Sequence, residues 1–307
     1  MKKSLFSIGV LILIMSGILQ SCRKDNTEYD GTSFIVNVDG FTDENGKAQF
    51  ETTSFLKLLF QEGDVIKVNG RSFTLRYEGG RWVAKGSSAE MDNATHDTLL
   101  GNEFYCYYGQ SPAPTSPIGS STYTGINFAS GGSSDAVHPG YKLYNSGIVL
   151  AGKTTDSTIT FYPTFAVIKL HRHSPDGITM NQALLGFSSG VCVKIGKVTP
   201  QSGTPIVEAT ESLRGISMSS YYDEDFEEYV TSYSGDFLTA NESDLATSGD
   251  GADTYHFIIP LPSQSISTSL YLRYTMTNNS SGTTAIKYGK VDNVNLQRGK
   301  VYTINVN

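Results

Sequence analysis

No stretch of a dozen residues in this chain holds an apolar face at the helical period, which excludes a helix bundle and leaves strands to carry the fold. A basic excess is missing as well. The 23 Lys and Arg stand against 30 Asp and Glu, a formal net charge of −7, and no basic stripe gathers the cations, so nucleic acid and anionic headgroups are poor partners. Cysteine is scarce. Three is an odd number that would leave a stray thiol in an oxidising compartment, so disulfides are not the frame of the fold. No apolar run has membrane-spanning length: Leu5 to Leu19 falls short of the about twenty residues that cross a bilayer.

That short run is nevertheless informative. Lys2 and Lys3 precede it and Leu19-Gln20-Ser21-Cys22 closes it, the pattern of a cleaved secretory signal over residues 1–21. Leu-x-Ser-Cys resembles the lipobox of bacterial lipoproteins, which implies cleavage between Ser21 and Cys22 and acylation of the Cys22 thiol. Lipid chains contribute about 0.8 kcal/mol per buried methylene, so a multi-chain anchor is effectively permanent. Removal of the signal leaves 21 basic against 30 acidic side chains. Cys106 and Cys192 remain, one in each half, and nothing in the sequence brings their backbones together. The simpler reading is two buried thiols acting as small hydrophobes.

The remainder reads as all-β. Tyr (18) and Phe (15) are plentiful, and Ser, Thr and Gly fill the intervals. Residues 22–31 are polar and suit a flexible tether. Phe34-Ile35-Val36-Asn37-Val38 alternates as a half-buried first strand. Asp64 to Val68 runs into Asn69-Gly70, a dipeptide that accepts the two positive φ angles of a tight hairpin, and Phe73, Leu75 and Tyr77 then alternate up to Glu78-Gly79-Gly80 and Arg81-Trp82-Val83-Ala84. Phe104 to Tyr108 is a strand too aromatic for solvent. Ser111 to Gly140 reads as a long surface loop with one apolar patch near Ile126 and Phe128. Later strands are expected at Ile148 to Leu150, Ile159 to Leu170, Val191 to Val198, Tyr255 to Leu261, Ser269 to Thr277, Ala285 to Val291 and Val301 to Val306. The length exceeds one sandwich, so two units are expected, 32–152 and 153–307.

Chemistry is thin. Gly190 to Lys197 superficially resembles a phosphate loop, but the spacing is one residue too long and Val198 replaces the hydroxyl residue. His171 and His173 would share a face of a strand, yet two ligands do not make a metal site. Asp43-Glu44-Asn45-Gly46 lacks the first and last ligands of a calcium loop and reads as a turn. The acidic run Asp223 to Glu228 lies among Tyr221, Tyr222, Phe226 and Tyr229. Consecutive acids on a loop share one solvated environment, whereas glycosidases need two distinct ones, so the aromatic members Tyr221, Tyr222 and Phe226 are a candidate contact surface rather than an active site. No catalytic residue, metal site or cofactor is expected, and the chain is read as a non-enzyme.

Several features together resemble the fimbrillin family of Bacteroidales surface pilins and pilus-associated lipoproteins. They are the lipobox with Lys24-Asp25 behind it, the Gly63 to Gly70 hairpin, the Arg81-Trp82 strand, the Phe104 to Tyr108 strand, the Phe165 to Leu170 run and the closing Leu296 to Ile304. The resemblance implies two tandem transthyretin-like β-sandwich domains and a palmitate-type lipid anchor at the outer membrane. It also implies a fimbrial role in adhesion, as shaft, tip or anchor, with other fimbrial subunits as partners. Shaft members of the family lose their first strand to an arginine-specific protease and accept a neighbour's strand; Phe34, Ile35, Val36, Asn37 and Val38 match that strand. No Arg lies between Arg23 and Arg71, so either Lys47 or another bond is cut, or the strand is kept. The alternative reading is a surface lipoprotein that does not polymerise and binds a glycan or host protein. Asp97-Thr98-Leu99 and Asp156-Ser157-Thr158 further resemble the short O-glycosylation sequon of exported Bacteroidetes proteins.

Replacing Cys22 with Ser is expected to abolish fatty-acid incorporation and to move the protein from the detergent phase to the aqueous phase of a cloud-point partition. Unchanged membrane retention would contradict the lipobox reading.

Overall fold

The computed structural model describes residues 33–39, 42–43, 60, 62–96, 103–109, 121–128, 143–144, 148–172, 177–224, 228–241, 246–247 and 253–306. In chain order the first half supplies β1 (Ser33–Val38), β2 (Thr42–Asp43), β3 (Val65–Val68), β4 (Arg71–Glu78), β5 (Arg81–Lys85), the helix α1 (Ser88–His96), β6 (Phe104–Gly109), β7 (Tyr123–Asn127), β8 (Leu143–Tyr144), β9 (Val149–Thr154) and β10 (Thr158–Pro163). The second half supplies β11 (Phe165–Arg172), β12 (Ile178–Phe187), β13 (Val193–Thr199), β14 (Ile206–Ser212), β15 (Ser217–Asp223), β16 (Glu228–Ser234), β17 (Leu238–Asn241), β18 (Ala246–Thr247), β19 (Asp253–Pro260), β20 (Ser265–Asn278), β21 (Thr284–Gln297) and β22 (Lys300–Asn305). The described residues are all-β apart from α1.

The first sheet closes on itself in the order β1-β10-β9-β6-β3-β4-β5. Its β3–β4 turn is the Asn69-Gly70 pair, with φ of 48° and 80°, as a type I′ hairpin demands. Asn69 does more than turn the chain. Its side-chain amide donates to the Ala94 and Glu103 carbonyls at 3.0 and 3.3 Å and its oxygen accepts from the Tyr105 N–H at 2.8 Å, tying the hairpin to α1 and β6. Phe73 and Leu75 of β4 point inward, and so do Cys106 and Tyr108 of β6. The short helix is set by a capping box: the Glu90 N–H donates to Ser87 Oγ at 3.2 Å and the Ser87 N–H to Glu90 Oε2 at 3.4 Å. Met91 and Ala94 then enter the barrel core.

The second sheet runs β18-β19-β11-β22-β2 with β8 beside β19, and its centre, β11 and the middle of β19, is buried on both faces. Along β11, Phe165 and Val167 join the barrel core, while Ala166, Ile168 and Leu170 join a second core. Ile258 of β19 and Val301 of β22 follow the first pair; Tyr255, Phe257 and Ile259 follow the second group. A strand with no solvent face has no polar alternation, which accounts for the nearly unbroken apolar run at 165–170. The second core is closed by the outer sheet β17-β12-β20-β21. At the β21–β22 turn the buried Arg298 guanidinium donates to the carbonyls of Leu261 (3.1 and 2.7 Å) and Pro205 (2.6 Å), and burial lowers its pKa to about 10.

A third, smaller core corrects the expected loop at 111–140. Residues 123–127 form β7, which pairs with β13 in the sheet β14-β13-β7. Tyr123, Ile126 and Phe128 pack with Val193, Val198 and Val207 against Tyr107, Val149 and Ala151 on the outside of the barrel. Tyr107 and Tyr123 stack at 5.0 Å, and Tyr123 Oη donates to the Tyr105 carbonyl at 2.7 Å. The stretch between the two expected units is likewise continuous in space: residues 153–163, assigned to the second unit on sequence, pair with β1 and β6 in the barrel. Pro163 is the last residue of β10, where its missing N–H is tolerated.

Gly152 sits on β9 with no room for a side chain, because an added Cβ would collide with the Thr160 carbonyl of β10. Gly152→Ala is expected to destabilise the protein by about 1–3 kcal/mol or more, read as a lower denaturant midpoint, since backbone cannot step aside as a side chain can.

Candidate functional site

β1 is the strand that closes the barrel. On one side it runs antiparallel to β5 (Phe34 opposite Ala84, Val36 opposite Trp82), and on the other parallel to β10 (Val36 opposite Ile159, Val38 opposite Phe161). The Ile35 N–H donates to the Ser157 carbonyl at 2.8 Å and the Asp39 N–H to the Phe161 carbonyl at 2.9 Å. Alternation places Phe34 and Val36 in the core and leaves Asn37 exposed, as the sequence pattern requires. Phe34 meets Phe73 at 5.5 Å and Phe104 at 5.1 Å, both edge to face. Such pairs contribute about 0.5–1.5 kcal/mol each beyond the buried area.

The chain then leaves the barrel, and β2 adds to the far edge of β22, Thr42 opposite Lys300 and Asp43 opposite Val301. Residues 33–43 therefore span two sheets. Withdrawing this segment would open the barrel between β5 and β10 and uncover the outer edge of β22. Asp43, expected in a turn, is in this short strand; 44–46 lie outside the described residues.

The other sequence-based candidates distribute as follows. Ser21, Cys22, the tether 22–31, Lys47, His173 and Phe226 lie outside the described residues. The His171 backbone is next to last in β11, opposite Thr254 and Asn305. Among the described residues no group of three His, Cys, Asp or Glu side chains converges as metal ligands would. Cys106 is buried in the barrel core and Cys192 in the second core, both as free thiols. Burial raises both pKa values, that of Cys192 to about 12. The acidic and aromatic segment lies at the end of a hairpin: β15 pairs with β16, Tyr221 opposite Val230, Tyr222 opposite Tyr229 and Asp223 opposite Glu228, with Glu224 in the turn and 225–227 outside the described residues. The Tyr222 side chain is 49% exposed.

Among the described residues the shifted side chains are held by ion pairs, hydrogen bonds and burial. Glu103 is held below its usual range by the Lys153 ammonium at 2.7 Å and by the Tyr105 hydroxyl, while Lys153 is raised by Glu103 and Tyr105 is raised by burial and then by Glu103. Asp236 is lowered by Arg214, and Asp292 by Lys290 and Ser269. Every described carboxylate with a shifted pKa moves down, opposite to what a general acid needs.

One grouping was not visible in the sequence. Tyr233 of β16 stacks on Tyr288 of β21 at 5.3 Å and meets Tyr271 of β20 edge-on at 6.0 Å, beside Arg273 and Lys290. Alternation within β20 and β21 marks Tyr271 and Arg273, or Tyr288 and Lys290, as sharing a face, but local pattern does not bring Tyr233 to them.

No protein-family model and no curated protein matches the chain. Among solved structures it is similar to a candidate cell adhesion protein of Bacteroides ovatus, at 14% identity and a TM-score of 0.44 over 89% of this chain and 90% of that one. It is also similar to a candidate cell adhesion protein of Bacteroides fragilis, at 11% identity and a TM-score of 0.41 over 89% and 91%. A third, from Bacteroides thetaiotaomicron, has 11% identity and a TM-score of 0.35 over 90% and 93%.

Phe34→Ala is expected to destabilise the protein by about 3–5 kcal/mol, a large share of the ~5–15 kcal/mol typical of a domain. In a Cys22→Ser background, Cys106 should resist alkylation in the intact protein and react once β1 is loosened by this change. Equal protection in both proteins would show that β1 does not seal the barrel.

Proposed function

We propose that the chain is a fimbrillin-type surface protein, a pair of transthyretin-like sandwich units anchored through a lipid on Cys22 at the outer membrane. It serves adhesion as a pilus-associated subunit, by contact and not by turnover. The observation that carries the reading is the place of β1, a single strand set between two others whose removal leaves a groove for one extended chain. Main-chain hydrogen bonds would then give affinity to an incoming strand, and the pockets of Phe34 and Val36 would select its alternate side chains.

The subunit is best placed as an anchor, tip or accessory component. No Arg lies between Arg23 and Arg71, which favours a strand that is kept. A kept strand equally favours a second reading, a surface lipoprotein that does not polymerise and captures a glycan or host protein.

Sequencing the N-terminus of the protein recovered from cells separates these roles. A blocked, lipidated Cys22 is expected, together with co-isolation in surface fibres. A start beyond Val38 would overturn the anchor assignment in favour of a shaft subunit. Cys22 without any fibre or subunit partner would overturn the pilus reading and leave the second.

A further inference from the structure

The outer sheet turns one face to the second core and the other away from it. Leu270, Leu272 and Tyr274 of β20 belong to the core, so Tyr271, Arg273 and Thr275 point outward. Opposed residues of an antiparallel pair share a face, which sets Lys290 beside Tyr271, Tyr288 beside Arg273 and Ile286 beside Thr275. On the β12 side Gly186 leaves a gap that Ile216 and Phe237 occupy, covering one end of this face. Tyr233 descends from the β15–β16 hairpin and stacks on Tyr288, their planes 14° apart. The other end stays open, with Tyr288 50% and Ile286 47% exposed.

Around the tyrosines stand groups of both polarities. Lys290 Nζ lies 5.7 Å from the Tyr271 ring centre and 2.8 Å from Asp292 Oδ1, to which Ser269 Oγ also donates at 2.8 Å. Arg273 is the anomaly. Its Nε is shut off from solvent with no hydrogen-bond partner, and no carboxylate pairs with its guanidinium among the described residues. Arg298 shows how this protein otherwise treats a buried guanidinium, with carbonyls at Nε and both terminal nitrogens. An unpaired, partly buried cation is costly unless something of opposite charge completes it.

We propose that this face binds a glycan through a carboxylate-bearing sugar. The apolar side of the pyranose ring lies on Tyr288, Arg273 takes the carboxylate through its two terminal nitrogens, and Lys290, Asp292 and Ser269 exchange hydrogen bonds with hydroxyls. Charge complementarity selects an acidic sugar over a neutral one, since no carboxylate pairs with Arg273 among the described residues. A half-open ring bordered by both donors and acceptors suits a pyranose better than an extended acidic peptide. The proposal deepens the glycan-capture reading by giving it a site other than Tyr221, Tyr222 and Phe226, and it is independent of strand exchange.

The test is calorimetric titration of the purified full-length protein with oligogalacturonate and with sialyllactose, each beside its neutral counterpart, methyl-esterified oligogalacturonide and lactose. At least one acidic sugar is expected to bind ten-fold or more tighter than its counterpart. Arg273→Gln should remove that preference, Arg273→Lys restore part of it, and Tyr288→Ala weaken both members of the pair, with thermal melts unchanged. Absence of binding by both acidic sugars, or a preference that survives Arg273→Gln, overturns the proposal. Displacement of a bound sugar by poly-glutamate at equal concentration would overturn it in favour of an acidic peptide. Glycan binding that persists in both Arg273→Gln and Tyr288→Ala would sink this site while leaving glycan capture standing.

Discussion

Double burial of the central sheet is the constraint on which the rest of the molecule depends. β11 sends Phe165 and Val167 one way and Ala166, Ile168 and Leu170 the other, so the barrel and the outer sheet are closed against the same strand. Neither core can be repacked alone. A shift of register by one residue along β11 would exchange the two sets of side chains, and both cores would fail together. β7 adds a second tie, because a strand from the first half completes a sheet made by the second.

A barrel has no free edges, and β1 is what removes the last two in the first sheet. While β1 stays in place, both of its neighbours are paired and no main-chain donors are on offer there. Among the edges of the open sheets β21 is the longest, and it carries Lys287, Lys290 and Asp292 along its length, charges of the kind that discourage unplanned pairing.

Much of the strand order was legible because local chemistry dictated it. Asn69-Gly70 fixed one turn by its φ requirement, and Phe34 to Val38 and Phe73 to Tyr77 alternated as half-buried strands do. The Phe165 to Leu170 run was recognisable as a strand, but its two-sided burial was not, since that depends on what packs above and below. β7 escaped notice because Gly125 takes φ of 71°, breaking the alternation of Tyr123, Ile126 and Phe128. The β15–β16 hairpin was obscured by its acids, which read as loop wherever pairing is not known. The face around Arg273 needed β16 brought to the β20–β21 hairpin from elsewhere in the chain. Its one local clue was the alternation of aromatic and basic residues in β20 and β21.

The geometry of residues 33–43 has a mechanical side. Tension applied from the N-terminal direction enters through Ser33 and runs along β1, which is bonded on both flanks, so the load falls on two ladders in shear. Shear asks many bonds to yield together, whereas peeling asks them to yield one by one. The helix-capped corner and the long edge of the outer sheet would feel little of that pull. Were the chain held ahead of Ser33 in flowing liquid, the two ladders of β1 would share the load, so the barrel would be gripped along a seam and not at a corner.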